Sequence, residues 1–415
     1  MFTAIAASIV LATQSTNWED PVVLGNGGEP TLALTETGKV LVTSHLPTQV
    51  FASSNKGVSF SLLNTFPESL GDTIVVPLKK EDMLVVFMPP QVNGLMTRLS
   101  EDGGKSWTKG IGIMGRPLDR EWCVMLPDGT LRMTYSDGYI GGPKSKGVFL
   151  SESRDKGLTW KEISKVDREP EGSYAVDPGI VVTEDGGIHV MWAATEDYDT
   201  VSAYKVASSH DGGKTFDAPI TLSAVVKTEG DTQERWMLGG LANHGKSTVT
   251  AYYLRYKDYA EGKVLECRYR TSTDSGKTYG EEKTLMPEKE RAAAMSAYKN
   301  IGSKGAAVNH FVQCLTWADY DDYGRLHFIW FDNRIGQVDN PALNVWGLRH
   351  MMVGDKSSVL VNTPFRCVRP PLDFIACLAT KDYIYATWSE TPGSTNAWNF
   401  TGKLMVARKA LMPPK

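Results

Sequence analysis

The 415-residue chain is poor in several features that would assign it to a large protein class. After its first segment it has no apolar run reaching about 18 residues, which excludes a membrane-spanning helix of ordinary length. It has only five cysteines, Cys123, Cys267, Cys314, Cys367 and Cys377, and no CxxC spacing. Cys123, Cys314 and Cys377 fall inside apolar strand patterns and read as buried thiols, so cysteine usage does not decide the compartment. The net charge is −4 and the basic residues form no run, so nucleic acid is not a natural partner. Helical periodicity is nearly missing, with Glu288 to Met295 (EKERAAAM) as the exception. What remains is rich in aromatics, with 11 Trp and 16 Tyr, which suits a sheet protein and would also suit stacking on sugars.

The first residues, Met1 to Ser15, are small and apolar and read as a signal peptide cleaved near Val10-Leu11-Ala12, although no basic residue precedes them. The expectation is an exported protein, secreted or periplasmic, whose folded part spans residues 16–415.

One turn is written five times. It reads Ser-x-Asp/Asn-x-Gly-x-Ser/Thr-aromatic at Ser53–Phe60, Ser100–Trp107, Ser153–Trp160, Ser209–Phe216 and Ser272–Tyr279. The hydroxyl and the carboxylate can hydrogen-bond a tight hairpin, the glycine supplies a positive φ, and the aromatic can drop between sheets. The spacing is that of a propeller blade. With the turn as a fixed mark, seven second strands align at residues 39–44, 83–88, 130–135, 187–192, 247–252, 325–330 and 382–388. The sixth unit replaces the turn with Gly354–Ser358. The seventh stops after its third strand, and Trp18 to Leu24 (WEDPVVL) has the shape of the missing fourth. Pairing it with the C-terminal unit would close the ring and remove the exposed edges.

The repeated turn resembles the Asp-box (BNR) repeat of sialidase-like β-propellers. That resemblance implies an all-β fold of four-stranded antiparallel blades, with the turns on the face away from the active site. The expected architecture is one seven-bladed propeller, with a six-bladed sialidase-like ring as the alternative.

On the other face, the residues at the starts of the first strands should ring the channel mouth. They are Glu29, Asp72, Glu121, Asp177, Arg235, His310 and Asp373. Carboxyl groups gathered at one level suit glycoside hydrolysis, which needs an acid and a base or nucleophile about 5–9.5 Å apart. Like charges crowded together raise one pKa and create the acid. Glu29, Asp72, Glu121, Asp177 and Asp373 are therefore the catalytic candidates. Such a ring could also be a solvated set of turn caps, or could hold Ca²⁺ in the channel; the hydrolase chemistry itself requires no cofactor. His45, Asp137, Arg235, Tyr298, His310, Arg334 and Arg369 are candidates for substrate contact. The neighbouring loops add Arg116, Asp119 and Arg120.

Sialidases of this superfamily carry a Phe/Tyr-Arg-Ile-Pro motif at the first strand. Here that stretch is Gly27-Gly28-Glu29-Pro30, so the arginine position holds Gly28. The following loop, Ser44–Thr48, has His45 where the family has an acid/base Asp, and no Tyr-Glu nucleophile pair can be placed. The expected function is therefore a glycosidase other than a true sialidase, acting on a neutral or anionic oligo- or polysaccharide. Two alternatives stand beside it: a lyase on a uronic-acid glycan, with His45, His310, Tyr298 or Tyr174 as base, and a non-catalytic propeller binding a glycan or a protein.

Overall fold

Short apolar runs punctuated by Gly, Asp and Asn form strands throughout the chain, because alternate side chains can be buried on either face of a sheet. The computed structural model of the chain describes residues 17–67, 71–89, 94–138, 144–197, 200–224, 239–260, 262–298, 311–336, 343–368, 374–396 and 401–414. The proposed signal peptide lies outside the described residues. Among them there is a single helix, Glu288–Ala297, two residues longer than the sequence suggests.

The strands fall into four-stranded antiparallel sets. The first holds residues 28–34 of the strand Val22–Leu34, then Val40–His45, Thr48–Ser53 and Ser61–Phe66. The second is Gly71–Pro77, Met83–Met88, Leu95–Ser100 and Ile111–Ile113. The third is Asp119–Met125, Leu131–Ser136, Val148–Ser153 and Lys161–Lys165. Tyr174–Val182, Ile188–Thr195, Val201–Ser209 and Ile220–Ala224 make the fourth. Gly240–His244, Thr248–Tyr259, Gly262–Ser272 and Lys283–Thr284 make the fifth. The sixth is Phe311–Tyr320, Leu326–Asp332, Asn344–Met352 and Val359–Leu360. The last is Ala376–Ala379, Tyr383–Glu390, Gly402–Ala410 and the front half of Val22–Leu34. Every second strand expected from the sequence is present, displaced by at most about one residue at its start.

The N-terminal strand thus serves two sets. Its front half pairs with the C-terminal strand, Val22 with Val406 through Gly27 with Gly402, and its back half pairs with Val40–His45. Trp18 adds an isolated bridge to Lys409. The closing strand lies about three residues later than the sequence shape suggests, because that shape is aligned on Trp18, which is buried in the core but makes only an isolated backbone bridge at the strand edge.

The core lies between neighbouring sets rather than in one centre. Trp192, Trp330 and Trp388 lie within three of the second strands and are fully buried. Each indole N–H donates to a carboxylate: Trp192 to Glu169 at 3.0 Å, Trp330 to Asp332 at 3.2 Å and Trp388 to Glu390 at 2.8 Å. A buried donor left unpaired would be costly, so each indole travels with its acid.

The repeated turn has the hydrogen bonds its sequence implies. The amide of Gly104 donates to Ser100 Oγ at 2.8 Å, and the amide of Ser106 donates to Asp102 Oδ1 at 2.9 Å. Gly104 has φ +92°, and a Cβ there would lie 2.4 Å from Leu63 Cδ1 of the preceding set, so no other residue fits. The same bonds recur at Asp155, Asp211 and Asp274, and Asn55 makes the amide version.

These bonds favour the ionised carboxylate. Hydrogen bonds from Ser106 hold Asp102 at about 2, and those from Thr278 hold Asp274 at about 2. Both values lie below the ordinary 3.8, so the stabilisation is complete above about pH 4 and is lost as pH falls towards 2. A double D102N/D274N variant, which copies the natural Asn55 turn, is expected to show a flatter urea midpoint between pH 5 and pH 2 than the unchanged protein. Parallel curves for the two proteins would show that these turns do not carry the acid sensitivity.

Candidate active site

The first strands of five sets share one irregularity. In each, the antiparallel register slips by one residue near the start of the strand: between Gly28 and Thr31, Gly71 and Thr73, Asp119 and Trp122, Val176 and Gly179, and Cys314 and Trp317. Inside the slip a non-glycine residue takes a left-handed backbone: Glu29 at φ +44°, Asp72 at +24°, Arg120 at +58°, Asp177 at +53° and Leu315 at +48°. Such conformations cost about 1–3 kcal/mol each and are uncommon outside glycine and asparagine. A bulge of this kind re-aims a side chain and frees a backbone N–H from the ladder. Pro30 and Pro178 occupy two of the slips, where no ladder N–H is needed.

The freed amides reach back to the preceding set. The Arg120 N–H donates to Asp72 Oδ2 at 3.0 Å, and the Asp177 N–H donates to Ser136 Oγ at 3.1 Å. Arg120 Nε then lies 3.3 Å from Asp177 Oδ1, with both side chains buried. The guanidinium also sits over the ring of Phe374, 4.7 Å from its centroid. Asp72, Arg120 and Asp177 from three consecutive sets therefore form one chain of contacts.

This chain borders a cavity of about 90 Å³ lined by Arg120, Trp122, Asp177, Leu315, Trp317 and Phe374, among others. Trp122 meets Trp317 at 5.2 Å and Phe374 at 5.5 Å between ring centroids, so aromatic side chains from three sets converge there.

Glu121 lies beside Arg120 and is 1 % exposed. Neither of its carboxyl oxygens has a hydrogen-bond partner. Burial first, then the negative charges of Asp72 and Asp119, push its carboxyl well above the usual range, and its own backbone N–H and Arg120 oppose this. A carboxyl in that setting holds its proton to a higher pH than an ordinary glutamic acid and can donate it.

On the opposite side of the Asp72 neighbourhood, His45 Nδ1 lies 2.7 Å from Glu29 Oε2, both side chains almost fully buried. A carboxylate this close to the ring is the neighbour a histidine needs if it is to act as a base.

Several expectations need correction. Glu121 is not the ring residue of the third set; of the two residues inside the slip, Arg120 has the left-handed backbone and so holds the position equivalent to Asp72 and Asp177. In the sixth set the equivalent position is Leu315, five residues after His310, because the slip lies inside the first strand, which begins at Phe311, and not at its very start. Arg334 is not a free substrate grip. It forms a bidentate pair with Asp332 and also reaches Glu290 at 3.0 Å, so its charge is spent inside the protein. Asp137 is 3.2 Å from Arg116 Nε at the margin of the third set. Tyr298 ends the helix, where burial raises its hydroxyl to about 12, too weak an acid to serve as a base near neutrality. Arg235, His310, Arg369 and Asp373 lie outside the described residues. Among the described residues no three His, Cys, Asp or Glu side chains are grouped to hold a metal ion, and no helix is long and apolar enough to cross a membrane.

The sequence pointed to Glu29, Asp72 and Asp177 through their place before an apolar run. Arg120, Leu315 and the Trp122–Trp317–Phe374 cluster were missed as ring residues. The run Asp119-Arg120-Glu121-Trp122 offers three charged residues, and only the backbone conformation inside the slip tells which one takes the ring position.

No protein-family model matches the chain, and no curated protein matches it in sequence. Solved structures do. A polysaccharide lyase of family PL25, an ulvan lyase, is 10% identical and superposes with a TM-score of 0.53 over 89% of this chain and 93% of its own. YCF48 bound to a D1 peptide is 11% identical, with a TM-score of 0.51 over 96% and 98%. An α-L-arabinanase from Penicillium chrysogenum is 12% identical, with a TM-score of 0.50 over 95% and 98%. The fold is a β-propeller. At these identities the likeness concerns the fold alone, and the three neighbours have different partners.

Proposed function

We propose that the protein is an exported, seven-bladed propeller glycoside hydrolase that cleaves a carbohydrate chain with a carboxyl pair, Glu121 and Asp72, set in the bulges of two adjoining first strands. The observation that carries this reading is Glu121, buried and unpaired beside Asp72. In this role Glu121 protonates the departing glycosidic oxygen. Asp72 provides the carboxylate that activates water or attacks the anomeric carbon. The Trp122–Trp317–Phe374 cluster offers apolar faces on which a sugar ring can stack. The chemistry is complete with carboxyl groups and asks for no cofactor. Two of the structural neighbours bear the names of enzymes that act on polysaccharides, which agrees with this reading without deciding it.

The Glu29–His45 pair supports a second reading, a lyase acting on a uronic acid with His45 as the base. The two separate on one panel of neutral and anionic glycans. Hydrolysis releases new reducing ends only, whereas elimination gives an unsaturated product absorbing in the near ultraviolet. Reducing ends without the chromophore, lost in E121Q and D72N, are the expected result. The chromophore, lost in H45A, would favour the lyase. Binding of a glycan or peptide with neither product would make the propeller a binding module.

A further inference from the structure

Among the five bulge residues, three are acids, one is apolar and one is a base. The base, Arg120, stands between the two acids of the adjoining sets. Its contacts use both parts of the residue: the backbone N–H goes back to Asp72 and the side chain goes forward to Asp177. Both depend on the same left-handed turn at Arg120. In an unbroken strand the N–H would point into the ladder, and the side chain would stand perpendicular to the sheet. Phe374, from the start of the last set, supports the guanidinium from beneath. Arg120 is thus the single described residue that touches both acids, and Glu121 follows it in the chain.

We propose that Arg120 is the positioning residue of the site: it fixes Asp72 and Asp177 from the strand between them and leaves Glu121 as the proton carrier. This rests on the hydrolase reading for its catalytic meaning, but the coupling itself can be measured without substrate. The charged groups acting on Glu121 from its own strand are Asp119 and Arg120, and from the preceding set Asp72. Removing the guanidinium takes away the one cation among them, so Glu121 should hold its proton to a higher pH.

The protonated-carboxyl infrared band that is present in the full-length protein and lost in E121Q reports Glu121 directly. In R120M the pH at which this band disappears is expected to rise by about one unit, a tenfold change in proton affinity. In R120K, which keeps the charge, it should rise by less than half of that. If R120M does not fold, D177N reads the same coupling with the opposite sign, because a guanidinium released from Asp177 acts more strongly on Glu121 and the band should disappear at lower pH. An unmoved band in every folded variant overturns the proposal. With a cleavable glycan in hand, R120M should lower kcat more than it changes KM and move the basic limb of the pH profile upward with the band. A band that shifts in a protein without activity on any glycan would sink the hydrolase reading and leave the coupling standing. A band that stays fixed in an active enzyme would do the reverse.

Discussion

Replacing Glu121 with glutamine is expected to lower kcat/KM for glycan cleavage by about 10³-fold, within the range found for removing a general acid. Folding should survive. The amide has the same shape as the protonated carboxyl that the pocket already holds, so it introduces no charge and no cavity. Stability should respond to pH in a defined direction. The carboxyl of Glu121 lies above its ordinary value of 4.5 in the folded protein, so the folded chain binds more protons than the unfolded one above that pH. Stability contributed at this position is therefore full at low pH and falls as pH rises past about 4.5. Glutamine cannot titrate, so E121Q should melt higher than the unchanged protein at pH 7, with the difference closing as pH approaches 4. Calorimetry at those two pH values checks this, and circular dichroism confirms the fold. An E121Q protein that cleaves normally would remove Glu121 from the chemistry whatever its stability.

The second large effect concerns closure. Deleting residues 1–27 removes the strand that pairs Val22 through Gly27 with Gly402 through Val406. Five registered pairs are lost, and at about 1 kcal/mol per hydrogen bond the cost is about 5 kcal/mol before any apolar contact is counted. Leu404 and Val406, which pack with Val42 and Phe51 and are covered by Leu24, would become exposed as well. A typical domain is stable by about 5–15 kcal/mol, so this loss alone takes up much of it. It also leaves Gly402–Ala410 as an open edge ready to pair with another chain. The truncated protein is expected to aggregate or to lose its cooperative melt. Placing residues 17–27 after Lys415 through a short flexible linker should restore the ladder and most of the melting temperature. If the truncated protein melts like the intact one, pairing between the two ends is not what holds the ring together.

The two variants differ in how far the sequence alone foresaw them. Closure was readable because Trp18–Leu24 repeats the shape of a fourth strand and the last unit lacks one. The register was off by a few residues, since an aromatic that makes only an isolated bridge at an edge looks the same in sequence as one inside a strand. The charged ring was half readable. Glu29, Asp72 and Asp177 each precede a clear apolar run, and a strand start can be seen in one dimension. Arg120 could not be told from Asp119 and Glu121, because the three sit in one run and a bulge can place any of them towards the channel. Arg334 looked like a substrate grip for the same reason: its partner Asp332 is near in sequence, but Glu290 comes from the helix before the sixth set.

What the amino-acid sequence determined by itself is local. The five Ser-x-Asp/Asn-x-Gly turns and the apolar second strands follow from hydrogen bonds, φ preferences and apolar patterning within a few residues of each other. Which charges meet was decided only by tertiary structure. The Asp72–Arg120–Asp177 chain joins three sheets, and its geometry depends on left-handed bulges whose energetic cost is met by the surrounding packing. The raised carboxyl of Glu121 has the same origin, because burial and the neighbouring carboxylate are properties of position in space and not of position in the chain.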